Sequence, residues 1–210
     1  MGEWEILDIL RYWVMEYHVD GFVLNPYVIG IDELAADPIL KGTKLLVCSD
    51  EFQNTMRQFL KGDEGQIESV MWWFRQKGAT NHSYNYVTRH QGFTLNDLVS
   101  YNEKHNVANG ELNQDGPDQN FSWNCGEEGP TKQKAIQELR EKQIRNAFFL
   151  LLFAKGTPCI LAGDEFFNSQ AGNNNVYCQD NPVAWLNWKQ DDDSKNLQKY
   201  VQQLISLRKQ

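Results

Sequence analysis

Long apolar runs are missing from this 210-residue chain. The longest, AFFLLLFA at 147–154, falls far short of the ~20 residues that cross a bilayer as a helix, so no membrane span is expected. Positive charge is scarce. Twenty Lys and Arg stand against 28 Asp and Glu, a formal net charge of -8, with no basic stripe anywhere. That balance excludes the electrostatic footprint of a nucleic-acid binder and leaves a neutral ligand or a protein partner. Cysteine is sparse too: Cys48, Cys125, Cys159 and Cys178 form no C-x-x-C pair, and no His stands at ligand spacing from them. They read as free thiols in a reducing compartment, with no metal site and no cofactor. The N-terminus, MGEWEILDIL, is acidic and has no signal-peptide character, so the chain reads as cytoplasmic. There is no internal repeat and no low-complexity linker.

What is present is the pattern of an α/β domain, since 41% apolar residues are enough for a packed core. In 3–17, Ile6, Ile9, Leu10, Trp13, Val14 and Tyr17 fall on one helical face. HVDGFVL (18–24) and KLLVCS (44–49) are buried strands, KLLVCS with the near-continuous apolar character of a parallel sheet. FQNTMRQFL (52–60) fits strand or helix. Residues 66–77 read as a helix, SYNYVTRH (83–90) as a third strand and TPCILAG (157–163) as another. A helix is expected at about 132–155 and a last one at about 195–208, with the acidic DDD at 191–193 as its N-cap. Between them, 102–131 is a long polar loop rich in Asn, Gly and Asp, whose Phe121, Trp123 and Cys125 argue for order. Alternating strands and helices mean a parallel sheet flanked by helices, with ligand-binding loops at the carboxyl ends of the strands.

Six stretches carry a resemblance: HVDGF, KLLV, YVTRHQGFTLNDLVSYNEKHNVANGE, DGPDQNFSWNCGEEGPT, GTPCILAGDEF, and GNNNVYCQDN with WLNW. In that order they resemble the second half of the catalytic domain of glycogen-debranching enzymes and isoamylases in glycoside hydrolase family 13. The resemblance implies one domain, 1–210, corresponding to part of a (β/α)8 barrel from about the fourth strand to the eighth helix. A complete barrel takes about 250 residues, more than this chain has.

Enzymes of that family need carboxylates at strand ends. A retaining glycosidase uses one as nucleophile and one as general acid/base, about 5–5.5 Å apart. The family adds a third that steadies the sugar. The nucleophile motif resembles D-G-F-R-F-D. Here Asp20-Gly21-Phe22-Val23-Leu24-Asn25 puts Asn25 at the nucleophile position and Val23 where its Arg partner would be. The acid follows a strand like K-L-I-A-E. Lys44-Leu45-Leu46-Val47-Cys48 ends in Cys48 instead. The third follows His in H-D-G-F. Here His90-Gln91-Gly92-Phe93 carries Gln91. An amide is a poor nucleophile and cannot offset positive charge on an oxocarbenium-like centre. A thiol with a pKa of about 8.5 is poorly matched to protonating a glycosidic oxygen.

The resemblance therefore implies a catalytically silent homologue of α-1,6-glucan debranching enzymes, a weak glucan-binding or partner-regulating remnant. His90, Asn106, Glu111 and Trp123 are its candidate sugar contacts. Two alternatives stand beside it. One is an active α-1,6-glucosidase with a shifted acid: Asp50 lies two residues past Cys48, about 6.6 Å further along, and the connection from Ser49 to Phe52 looks shortened. The other is a fragment of a longer hydrolase chain. An open sheet edge, Trp13 and the apolar stretch Phe148–Leu152 imply cover from a second copy or from the missing half of a longer chain. Asp164 and Glu165 are read as loop-ordering acids.

Overall fold

The computed structural model describes residues 3–24, 30–48, 50–76, 83–189 and 191–210. A helix α1, Glu3–Tyr17, leads into strand β1, Gly21–Leu24. A short helix α2 (Ile31–Ala36) connects to β2 (Lys44–Cys48). Helices α3 (Asp50–Lys61) and α4 (Gln66–Arg75) precede β3 (Ser83–Asn85). After it come a one-turn helix α5 (Leu95–Leu98), the polar loop, the long α6 (Lys134–Phe153), β4 (Thr157–Pro158) and α7 (Asp192–Arg208). The strands pair in parallel in the order β1-β2-β3-β4.

β1 and β2 approach closely because of one residue. Gly21 pairs with Lys44, and a Cβ on Gly21 would lie 2.3 Å from the Lys44 carbonyl oxygen. Two of the expected strands are much shorter than the apolar pattern implied. Of 83–90 only Ser83–Asn85 joins the sheet. Beyond it Tyr86, Val87 and Thr88 stay buried, yet the Val87 carbonyl accepts from Gln53 Nε2 (3.2 Å) and Arg57 Nε (2.7 Å) rather than from a strand. Of 157–163 only Thr157–Pro158 pairs, and a single further link runs from Cys159 N to Asn85 O at 2.7 Å. Pro158 itself brings no N–H to extend the ladder. The ambiguous 52–60 is helix, because Phe52 and Met56, one turn apart, are both fully buried.

Two apolar clusters hold the chain. The larger packs α3, α4, α6 and α7 around Phe52, Met56, Trp73, Phe148, Leu151 and Leu197. The smaller joins Leu10, Leu24, Leu34, Leu40 and Leu45 from α1, α2, the turn after α2 and the first two strands. The stretch Phe148–Leu152 was expected to need outside cover. Four of its five residues are in the chain's own core, and only Phe149 is exposed. On α1 the expectation fares differently, since Tyr12, Trp13 and Tyr17 are all exposed. The last helix is capped by Asp191, whose Oδ1 accepts from Ser194 N at 2.8 Å. No described helix is long and apolar enough to cross a membrane.

Candidate functional site

The carboxyl ends of β2 and β3 open onto a polar cavity of about 470 Å³ between α3, the 89–92 segment and the two polar loops. Gln91 lines it, together with Asp50, Gln53, Asn54, Arg57 and Arg89. Among the described residues, Gln91 is the one of the three positions implied by the resemblance that lines this cavity. Asn25 lies outside the described residues. Cys48 ends β2 with its backbone in register with Tyr84, and Cys125, Cys159 and Cys178 are free thiols. Val23, where the resemblance implies an Arg, stands 59% exposed on β1 opposite Leu46.

Asp50, the shifted-acid candidate, starts α3 and reaches the same cavity. Its Oδ1 accepts from the Tyr86 hydroxyl and pairs with Arg89 Nη1 at 3.3 Å. Arg89 Nη1 also donates to Tyr86 Oη (3.2 Å), and the guanidinium sits 5.3 Å from that ring's centre. The carboxylate is therefore tied into a cluster with a cation and a phenol.

The candidate sugar contacts disperse. His90 is exposed beside Gln91 but outside the cavity lining. Trp123 packs on the larger core and lines a different, apolar groove with Phe59, Val70 and Phe149. Phe121, in the same loop, is the aromatic that reaches Gln91's cavity. Glu111 is exposed, at 3.5 Å from Tyr177 Oη. Asn106 is fully buried and fastens the loop internally: Nδ2 donates to Asp115 O (2.9 Å) and Asn174 Oδ1 (2.8 Å), and Oδ1 accepts from Asn174 N (2.9 Å).

That asparagine pair is the centre of a network joining the loop 102–131 to residues 173–175. Asn174 Nδ2 donates to Asn120 Oδ1 (3.0 Å) and Pro117 O (2.9 Å), and Asn175 Nδ2 to Asp115 Oδ2 (2.9 Å). The Asn109 side chain (2.7 Å) and that of Asn175 donate to the Asp115 carboxyl and hold it below its ordinary range. Gly116 completes it, since at φ +72° a Cβ would fall 2.2 Å from Asn174 Oδ1. Asp164, read in the sequence as a loop-ordering acid, ties the 157–167 segment to residues 88 and 95. It accepts from Leu95 N (2.8 Å) and from the Thr88 hydroxyl, and burial pushes its carboxyl up to about 7.

Arg57 and Arg89 did not stand out in the sequence. Arg57 sits on the segment that fitted strand or helix equally, so no face could be assigned to it. Once α3 is a helix, Arg57 follows Gln53 by one turn on the cavity side.

No family model matches the chain. Full sequences do. The glycogen operon protein GlgX homolog of Mycobacterium tuberculosis is 38% identical over 248 residues, covering 97% of this chain and 34% of the relative. The glycogen debranching enzyme of Serratia proteamaculans is 39% identical over 98% of the chain and 37% of the relative. The chain belongs to the glycogen-debranching and isoamylase family. Chloroplastic isoamylase 1 of Arabidopsis thaliana is a further relative, 35% identical over 97% of the chain. The chain spans about a third of the length of these curated debranching-family relatives. Among solved structures, pullulanase from Bacillus acidopullulyticus superposes with a TM-score of 0.69 at 21% identity, covering 99% of the chain and 28% of the pullulanase. A pullulanase from Anoxybacillus sp. complexed with maltotetraose gives 0.64 at 22%. These two share the fold of the debranching-family chain.

Proposed function

We propose that this chain is a catalytically silent debranching-family domain whose remaining role is weak contact with α-glucan, its four strands corresponding to late strands of the family's barrel. The observation that carries this reading is the cavity at Gln91. Where the resemblance implies a transition-state carboxylate, the site offers a neutral amide, and the one acid beside it, Asp50, is engaged by Arg89 and Tyr86. The two remaining catalytic positions are an amide and a thiol by resemblance, Asn25 and Cys48. Gln91, Asn54 and Gln119 are groups that hydrogen-bond sugar hydroxyls, and Phe121 offers a ring face. An open half-site cannot bury most of a sugar, so affinity is expected at millimolar Kd or weaker, around -4 kcal/mol.

The test is a maltoheptaose titration followed by NMR, with the sugar recovered and sized afterwards. Expected are saturable shifts, weakened in Gln91→Ala and Phe121→Ala, unchanged in Trp123→Ala, and an intact heptasaccharide. No saturable shift well above millimolar sugar removes the glucan role.

A second reading, a fragment of a longer hydrolase, is favoured by the match to only about a third of each relative. Under either reading the aromatic face of α1 and the sheet edges want cover. Light scattering at micromolar concentration is expected to give a mass above the 24.4 kDa of one chain. A clean species of that single-chain mass, unfolding cooperatively, would show that no cover is needed.

A further inference from the structure

We propose that the cavity beside Gln91 is a binding site for a sugar phosphate, with the phosphate held between Arg57 and Arg89. Arg57 is 4% exposed, and both of its hydrogen bonds go to neutral carbonyls: Nε to Val87 O (2.7 Å) and Nη1 to Asn120 O (3.1 Å). Its Nη2 is buried and has no hydrogen-bond partner among the described residues. That nitrogen lies beside Gly92. A Cβ there would come within 3.9 Å of it, and both residues line the space. A buried guanidinium is stable only when its donors are met, and a polar space beside an unmet one fits an anionic acceptor.

Arg89 supplies the second cation. Its Nη1 serves Asp50 and Tyr86, while its Nε is buried and unpartnered among the described residues. Asp50 is the acid on the cavity wall, so two guanidiniums and one carboxylate leave the lining with a net positive charge. Asp164 also attracts the Arg57 charge, and it does not line the space. Burial lowers Arg57 to about 10, so it is still a cation at neutral pH.

Planar guanidinium forks suit phosphate oxygens, which accept two parallel N–H donors. A lone phosphate would leave much of the roughly 470 Å³ unused. The neutral amides of Asn54, Gln91 and Gln119 around the rest match the hydroxyls of an attached monosaccharide. This inference does not rest on the glucan reading. A neutral glucan would use the amides and be indifferent to salt, whereas a phosphate held by two cations is weakened by it.

The experiment is calorimetric titration of the full chain with glucose 6-phosphate, inorganic phosphate and glucose, with sodium chloride at matched ionic strength as the blank. It is repeated on Arg89→Gln and Arg57→Lys, each checked for native circular dichroism. Arg89 is the safer variant, because its side chain is partly exposed and holds no backbone carbonyl among its recorded bonds. Expected is saturable binding of glucose 6-phosphate, tighter than inorganic phosphate, absent for glucose, and at least tenfold weaker in Arg89→Gln. Absence of saturation at tens of millimolar, an effect reproduced by chloride, or unchanged affinity in Arg89→Gln overturns the site. Inorganic phosphate binding as tightly as the sugar phosphate overturns the assignment of the sugar.

Discussion

Asn106→Ala is expected to lower the folding stability by about 3 kcal/mol or more, although Asn106 stands in a loop. The side chain is fully buried and makes four hydrogen bonds, two with Asn174 and two to Asp115, at its carbonyl and, at 3.5 Å, its carboxylate. Alanine leaves the buried Asn174 N–H without its acceptor and the Asn174 side-chain oxygen without a donor. Each such orphan costs about 1–3 kcal/mol. With a urea slope of about 1–3 kcal/mol per molar, the unfolding midpoint should fall by about 1 M or more. Glu111→Ala, in the same loop but exposed, is the control and should stay within about 0.5 kcal/mol of the parent. A midpoint for Asn106→Ala matching that of the control would mean that the loop is not coupled to the fold.

The same residue shows where sequence reading stops. A polar loop rich in Asn looks alike whether its amides face a ligand or one another, because composition records donors and acceptors but not their partners. Asn106 and Trp123 both looked like sugar contacts. One is the hub of an internal network, and the other belongs to the core and an apolar groove on another side. The helices were legible for the opposite reason. Apolar spacing on 3–17, 132–155 and 195–208 carries the period of a helix in the sequence itself, and α1, α6 and α7 occupy those stretches within a few residues. Strand lengths were overread. Past Asn85, Tyr86 and Val87 are buried without being paired, and past Pro158, Ile160 and Leu161 are half-buried outside the ladder. Period-two patterning cannot tell such residues from a strand. The alternation of parallel strands with helices was visible, whereas α2 and α5, too short for a periodic signal, were not.

The second large effect is on pH dependence. Asp164 is buried and its carboxyl sits at about 7, against an ordinary 3.8, with burial as the main cause. Between those values the folded chain keeps a proton that the unfolded chain has released. Stability from this group is thus fully present below pH 3.8 and is lost as pH rises toward 7. The slope is at most about 1.4 kcal/mol per pH unit. Asp164→Asn mimics the protonated form: its oxygen can accept from Leu95 N and its amide can donate to Thr88. The variant should match the parent near pH 4 and exceed it by up to about 4 kcal/mol above pH 7. Groups held low, such as Asp37 beside Arg11 and Asp115 beside Asn109, add stability that is lost in acid. They do so in both proteins and cancel in the difference. Urea unfolding at several pH values checks this, and two parallel stability curves would mean that Asp164 is ionised in the folded chain throughout.

The amides of Asn25 and Gln91 and the thiol of Cys48, which the resemblance puts at carboxylate positions, carry the central claim, and release of reducing ends tests it most directly. The purified chain and its Asp50→Ala variant are incubated with glycogen, amylopectin and pullulan beside a buffer blank. Both should remain at the blank on the proposed reading, in which the nucleophile position carries the amide of Asn25 and the acid at Asp50 is held by Arg89 and Tyr86. Turnover above the blank that Asp50→Ala abolishes would show instead an active glucosidase with a shifted acid.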